Sequence, residues 1–305
     1  MHAGLLLVDK PAGPTSHDVV GRIRRAARSR RVGHAGTLDP FATGLLVVAV
    51  GHATRLLPYV AGEPKVYEAR IRFGVETDTD DSTGTAIRHA TLPEAACLLE
   101  PLHPARIAAE STLTGTIAQV PPSYSAKHVD GVRAYDLARK GRDVTLPPVT
   151  IMVHKWEWLG ANAECLDVRI TCGGGTYIRA LARDLGRALG SAAHCEALRR
   201  VRSGAADVGN AVSFERLEPG SVAEGVVSLH SPVDFLDSSF ARVELDAAGL
   251  TMLGFGRAIP TAEHGVNAPT HAVLLHEGQV MAIAERLGTD RWQPRVVLPL
   301  ERAGT

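Results

Sequence analysis

Apolar and polar positions follow one another along this chain in two rhythms, and those rhythms assign most of its elements. Leu5–Val8 is a short apolar run closed by Pro11 and predicts a buried strand. Behind Ser16, a candidate N-cap, Val19, Val20, Ile23 and Ala27 recur at helical spacing. Leu45–Val50 (LLVVAV) has the length of a buried strand, and the VGHAGTLDPFATG stretch before it, rich in glycine, threonine and proline, predicts a loop. Tyr67, Ala69, Ile71 and Phe73 alternate with Glu68, Arg70 and Arg72, the period-2 pattern of a strand with one wet face. TDTDDSTG reads as a turn and Pro93–Leu102 as a helix. Val120–Tyr124 (VPPSY) reads as an ordered loop, because paired prolines exclude both helix and central strand. Ile151–Leu159 and Cys165–Cys172 predict successive strands. CGGGTYIRALARDLG then turns through three glycines into a helix with Ile178, Leu181, Ala182 and Leu185 on one face.

The pattern changes near residue 231. From Phe240 onward short segments (ARVEL, a helical AAGLTMLG, HAVLLHEG, QVMAIAER, RVVLPL) are separated by glycine turns, which suggests a small β-rich second domain. The expected division is 1–235 and 236–305. With 305 residues, 45% of them hydrophobic and 22% charged, the chain can build a packed core. No apolar run approaches the ~18–20 residues that span a bilayer. The N-terminus lacks the basic flank and small-residue cleavage site of a secretory signal. The four cysteines are scattered, with no CxxC pair and no histidine at ligand spacing, so neither structural zinc nor a disulfide framework is expected. A cytoplasmic protein is expected.

Charge changes the picture locally. The 33 basic and 33 acidic residues cancel, which argues against coating nucleic acid by bulk charge. Yet Arg22, Arg24, Arg25, Arg28, Arg30 and Arg31 crowd ten residues with no acid nearby. Such a face is either solvated or a contact for RNA phosphates, with Arg22, Arg25 and Arg28 the candidates and Arg199, Arg200 and Arg202 extending it. Two patterns mislead. DTDDSTG imitates a calcium loop, but Ser82, Thr83 and His89 occupy its decisive positions. GGGTYIR before a helix suits a phosphate but lacks the Gly-Lys-Ser/Thr ending of a P-loop.

Asp39 stands immediately before Pro40, between the basic helix and a buried strand. It is either a turn aspartate or a carboxylate displayed on a loop for chemistry. Its surroundings, GHAGTLDPFATGLLVV (Gly33–Val48), closely resemble the signature of the TruB family, the tRNA pseudouridine-55 synthases. LLLVDKPAGPTSHDVV, KVYEARIRFGVETDTDDSTG, VPPSYSAKHVDGVRAYDLARKG and CGGGTYIRALARDLG resemble further segments of that family in its order, from about Leu5 to Arg202. SAKHVDG departs from the family's Ser-Ala-(Ile/Leu)-Lys pattern, with Lys127 and His128 shifted.

The resemblance implies an α+β fold with a mixed, largely antiparallel sheet and flanking helices, followed by a small PUA-like RNA-binding domain. It implies isomerisation of a T-loop uridine of tRNA by base flipping, without cofactor or metal, in a monomer with no obligate protein partner. It makes Asp39 the catalytic aspartate, Arg179 its partner and Tyr67 the platform under the target uracil. Tyr177 belongs to the same pocket, His34 enters the RNA loop, and Lys10 supports the scaffold beside the substrate. By their local patterns alone Tyr67 and Tyr177 read as core, His34 as a loop histidine and Arg179 as surface charge or a phosphate contact. Two other classes stay open: a catalytically silent RNA-binding protein on this scaffold, and a nucleotide-dependent enzyme using the GGGT turn.

Overall fold

The computed structural model describes residues 3–60, 62–124, 128–129, 132–133, 146–237, 239–260 and 269–299. Its helices are α1 (Ser16–Ala26), α2 (Leu57–Val60), α3 (Ala95–Leu99), α4 (Pro104–Thr112), α5 (Ile178–Ala188) and α6 (Ala247–Gly254). Its first strands are β1 (Gly4–Lys10), β2 (Val32–Ala35), β3 (Thr43–Val50), β4 (Lys65–Phe73), β5 (Val75–Thr77), β6 (Ala86–His89) and β7 (Gly115–Gln119). Next come β8 (His128–Val129), β9 (Val132–Arg133), β10 (Val149–Ala161), β11 (Cys165–Cys172), β12 (Ala193–Ser203), β13 (Ala206–Asp207) and β14 (Val212–Ser213). The last are β15 (Ala241–Glu244), β16 (Ile259–Pro260), β17 (His271–His276), β18 (Gln279–Leu287) and β19 (Arg291–Val297). The chain divides into two compact units: Met1–Leu38, Leu45–Gly62 and Gly204–Thr305 form the first, Asp39–Gly44 and Glu63–Ser203 the second. No described helix is long and apolar enough to cross a membrane.

In the first unit β1 runs parallel to β14, through Val8–Val212 and Asp9–Ser213, and lies beside β3. Leu6, Val8, Leu46 and Val48 pack with Val19, Val20 and Ile23 of α1. Leu5, Leu7, Leu45 and Val47 pack with Val273, Val280 and Ile283. Both faces of β1 and β3 are covered, which is why they read as unbroken apolar runs. The predicted loop after the arginines begins as a strand instead: β2 pairs antiparallel with β3 from Val32–Val50 to Ala35–Val47, anchored by buried Val32 and Ala35. Helix α1 is capped by Thr15, not Ser16. Thr15 and Asp18 form a capping box, while the Ser16 hydroxyl is taken by both backbone groups of Leu38. The C-terminal segments form the expected β-rich piece, a sheet ordered β15-β17-β18-β19-β16 over a core that includes Leu253, Leu274, Ala282 and Trp292.

In the second unit β12, β4, β11, β10 and β7 form an antiparallel run, and the start of β3 joins β12 in parallel at Thr43 and Gly44. Gly44 has φ +97°, and a Cβ there would stand 2.3 Å from the Arg200 carbonyl, so this junction demands glycine. The Pro93–Leu102 expectation shrinks to the five residues of α3, with Pro101 beyond its end. Val120–Tyr124 is irregular, as the prolines require. Helix α5 buries Ile178, Leu181, Ala182 and Leu185 as the spacing predicts, and buries Arg179 and Arg183 with them. The four cysteines are buried thiols.

Candidate active site

The second unit brings Asp39, Arg179 and Tyr67 together. Helix α5 begins directly after Tyr177, whose peptide is bracketed by Gln119 at the end of β7. The Gln119 amide donates to the Tyr177 carbonyl at 3.0 Å and accepts the Tyr177 N–H at 2.9 Å. That anchor sets the start of the helix, and Arg179 follows within its first turn, its side chain 5% exposed. Arg179 Nε stands 2.9 Å from Oδ2 of Asp39, an ion-pair contact off the N–H axis, and Nη2 donates to Oδ1 at 3.3 Å. The rest of the guanidinium is held from behind. Nη1 donates to the Thr79 carbonyl at 2.7 Å and to Oδ2 of Asp81 at 3.2 Å, and Nη2 also donates to the Tyr124 carbonyl at 3.0 Å. A planar cation gripped on several edges aims the carboxylate in front of it. Asp39 keeps 36% of its side chain exposed, so it faces outward from a buried partner.

Tyr67 lies on β4 opposite Ile170 on one side and Arg200 on the other. Burial pushes its hydroxyl above the usual tyrosine range, against the pull of Arg200, which hydrogen-bonds it, and the negative charge of Asp39 adds to the upward shift. The phenol therefore stays neutral at ordinary pH. Arg200 is 1% exposed, so it belongs to this buried layer and not to the basic surface expected of it.

Sequence reading places three members of the site elsewhere: Asp80 and Asp81 in an acidic turn, and Arg200 on a basic surface. The calcium-like segment is built around Asp81. Its Oδ1 accepts the Thr79 hydroxyl, the Thr83 N–H and the Thr83 hydroxyl at 2.8, 2.9 and 2.6 Å, while Oδ2 faces Arg179. Asp80 pairs with Arg183 at 2.7 Å; burial pushes its carboxyl up to about 6, against the pull of Arg183 and Arg179. At the GGGT turn the Gly174 N–H, which a phosphate would need, already donates to Glu63 Oε1 at 2.7 Å.

The remaining expected residues lie in the first unit, apart from Tyr177, which is half-buried beside Arg179 in sequence. Lys10 is fully buried, and its ammonium donates to the Pro11 and Pro14 carbonyls at 2.8 Å each. It braces the loop before α1 and presents no surface to RNA. His34 is half-buried on β2, paired in register with Val48. Arg22 is committed within its own unit: it donates to the Leu217 and Glu215 carbonyls at 2.8 and 2.9 Å and lies 4.4 Å above the Phe214 ring. Arg28 pairs with Glu224, so an acid distant in sequence compensates the basic cluster. Arg25 is exposed. The shifted Lys127 lies outside the described residues.

Solved structures share this fold. The chain aligns over 98% of its length with a chain of an H/ACA ribonucleoprotein bound to a substrate RNA containing 2'-deoxyuridine. The TM-score is 0.68 at 20% identity, over 86% of that chain. An archaeal box H/ACA sRNP Nop10-Cbf5 complex matches with a TM-score of 0.66 at 19% identity, over 98% of this chain and 87% of that one. At those identities the likeness is one of fold alone. Residues 24–178 match the TruB family pseudouridylate synthase N-terminal domain, and residues 179–229 match the tRNA pseudouridylate synthase B C-terminal domain. Proteins named tRNA pseudouridine synthase B from Leifsonia xyli and Thermobifida fusca are 42% and 43% identical, covering 94% and 97% of this chain and 94% and 99% of their own length. The chain belongs to the TruB family.

Proposed function

We propose that this protein is a tRNA pseudouridine synthase that isomerises the T-loop uridine at position 55, with Asp39 as its catalytic carboxylate. The observation that carries the reading is the outward-facing Asp39 held on two points by a buried Arg179 and close enough to the buried Tyr67 hydroxyl to raise its pKa. The relatives' shared name supports the substrate. The reaction breaks the bond from ribose C1' to uracil N1, turns the base, and joins C1' to C5, whose hydrogen leaves as a proton while N1 takes one up. It consumes no donor and changes no oxidation state, so it needs no cofactor. The target base must leave its stack, at a cost of a few kcal/mol, roughly, and an aromatic face such as Tyr67 returns ~1–3 kcal/mol of that by stacking. Tyr177 belongs to the same pocket, and His34 enters the RNA loop beside the extruded base.

Residues 1–235 act as the synthase domain and 236–305 as a PUA-like RNA-binding domain. The exposed arginines of α1 meet phosphates of the T-arm. The enzyme works as a cytoplasmic monomer with no obligate protein partner.

The test is tritium release from a tRNA transcript labelled at uracil C5, comparing wild type with Asp39→Asn. Joining ribose at C5 expels that hydrogen, so release by wild type and none by the variant is the expected result. Folded wild type that binds tRNA without release would mean a silent RNA-binding protein. Equal release by both would keep the enzyme and remove Asp39 from its centre.

A further inference from the structure

Arg183 lies one helical turn beyond Arg179 on α5, its side chain 10% exposed, and the proposed chemistry gives it no task. Its Nη1 donates to Asp80 Oδ2 at 2.7 Å, its Nη2 to the Val120 carbonyl at 2.9 Å and its Nε to Asp184 Oδ1 at 2.9 Å. Asp80 belongs to the turn that supplies Thr79 and Asp81 to Arg179. Val120 opens the loop that supplies the Tyr124 carbonyl to the same guanidinium. Arg179 and Arg183 thus join the same two segments twice, one turn apart. One more turn along, Arg187 pairs with Glu76 through Nε at 3.0 Å and Nη2 at 2.7 Å, and this pair does not reach the second segment.

A single guanidinium between two loops leaves them able to pivot about it, whereas two parallel crosslinks fix both spacing and tilt. Arg179 is aimed at Asp39 only as well as the carbonyls behind it are placed. We propose that Arg183 is a positioning residue for the reaction: by tying Asp80 to the Val120 carbonyl it fixes the two segments that orient Arg179, and through it Asp39. A lysine could keep the charge opposite Asp80 but, as a point charge without a planar fork, could not span to both partners. This inference rests on the proposed isomerase activity.

The neighbouring arginine supplies an internal control. Arg187→Lys weakens an ion pair on the same helix and to the same stretch of chain, but leaves both crosslinks intact. The experiment compares wild type, Arg183→Lys and Arg187→Lys in single-turnover tritium release at saturating tRNA, with tRNA affinity and thermal melting measured alongside. Misplacement by a fraction of an ångström in a reacting geometry costs about tenfold or more, so Arg183→Lys should slow release by about tenfold while its tRNA affinity holds. Arg187→Lys should react at the wild-type rate. If Arg183→Lys reacts as fast as wild type, or Arg187→Lys slows as much, the proposal fails, because position in the crosslink would then not matter. Loss of tRNA affinity in proportion to rate would also overturn it, by assigning Arg183 to RNA binding. Should Arg183→Lys not fold, Asp80→Asn carries the test, since it keeps an acceptor but removes the charge-assisted strength, about half of that hydrogen bond. A partial loss of rate is then expected, and an unchanged rate overturns the proposal. No release by wild type itself would defeat the isomerase reading and this inference with it.

Discussion

Helices α1 and α5 each present three arginines, and the two sets live under different physics. On α1, Arg24 and Arg25 are exposed and Arg22 is half-buried; Arg28, Arg30 and Arg31 beyond it are exposed as well. Their partners in the first unit are carbonyls, a phenyl ring, the His52 imidazole and one exposed glutamate. On α5, Arg179 and Arg183 are buried among leucines and alanines, and Arg179, Arg183 and Arg187 face Asp81, Asp80 and Glu76 in turn. Arginine in water keeps its hydration and needs no partner, while arginine in a core must have its donors matched. Dense charge in a sequence therefore marks a face that meets solvent. The arginines that build a site are dispersed at one per turn among apolar residues, with acids of opposite sign arriving from about a hundred positions away.

The largest expected contrast comes from removing one arginine of each kind. Arg179→Met keeps the length of the side chain but strands buried Asp81, whose side chain is 5% exposed. Breaking a buried pair by deleting one partner costs about 3–5 kcal/mol. Arg22→Met deletes hydrogen bonds that solvent replaces, at a cost of about 1–2 kcal/mol. Denaturant unfolding of the two variants measures both. Equal losses would erase the distinction between the helices.

A middle-sized effect sharpens the same contrast on the functional side. Neutralising Arg24, Arg25 and Arg30 to glutamine should leave single-turnover release at saturating tRNA unchanged. It should flatten the dependence of tRNA affinity on salt by about 0.9 in the log–log slope for each phosphate that is no longer neutralised. An unaltered slope would mean that the face is solvated and carries no RNA.

These contrasts also explain how much the sequence alone reveals. Periodicity finds β4, β11 and the apolar stripe of α5 because burial of one face is a local property of the pattern. It misses β2, since Gly33 and His34 break the apolar run and only pairing with β3 makes a strand there. It picks Ser16 over Thr15 as the cap, since the competing bond from Ser16 to Leu38 lies 22 residues away. For the site, Asp39 before a proline, Tyr67 on an alternating strand and Arg179 near a helix start have the local patterns of structural residues, and family resemblance alone singles them out. Asp80 and Asp81 stay hidden because an acidic run reads as a turn, and Arg200 is misplaced because a basic run reads as surface. Their burial depends on partners that no short window contains.

The smallest expected effect tests the exposed end of the comparison. Arg28 and Glu224 pair with side chains 67% and 54% exposed, against 10% and 8% for Arg183 and Asp80. An exposed pair gains little Coulomb energy at high dielectric and costs side-chain entropy, so a double-mutant cycle of Arg28→Ala and Glu224→Ala should give a coupling of about 0.2–0.5 kcal/mol. Arg28 also sits at φ +47°, in the left-handed region, so the single variant alone mixes backbone strain with charge, and only the cycle isolates the pair. At about 1 M salt, where the screening length shrinks to ~3 Å, the coupling should vanish. A coupling that survives salt would mean that the pair holds the segment around Glu224 against α1 as the Asp80–Arg183 pair holds its turn. Exposure would then no longer separate the two sets of arginines.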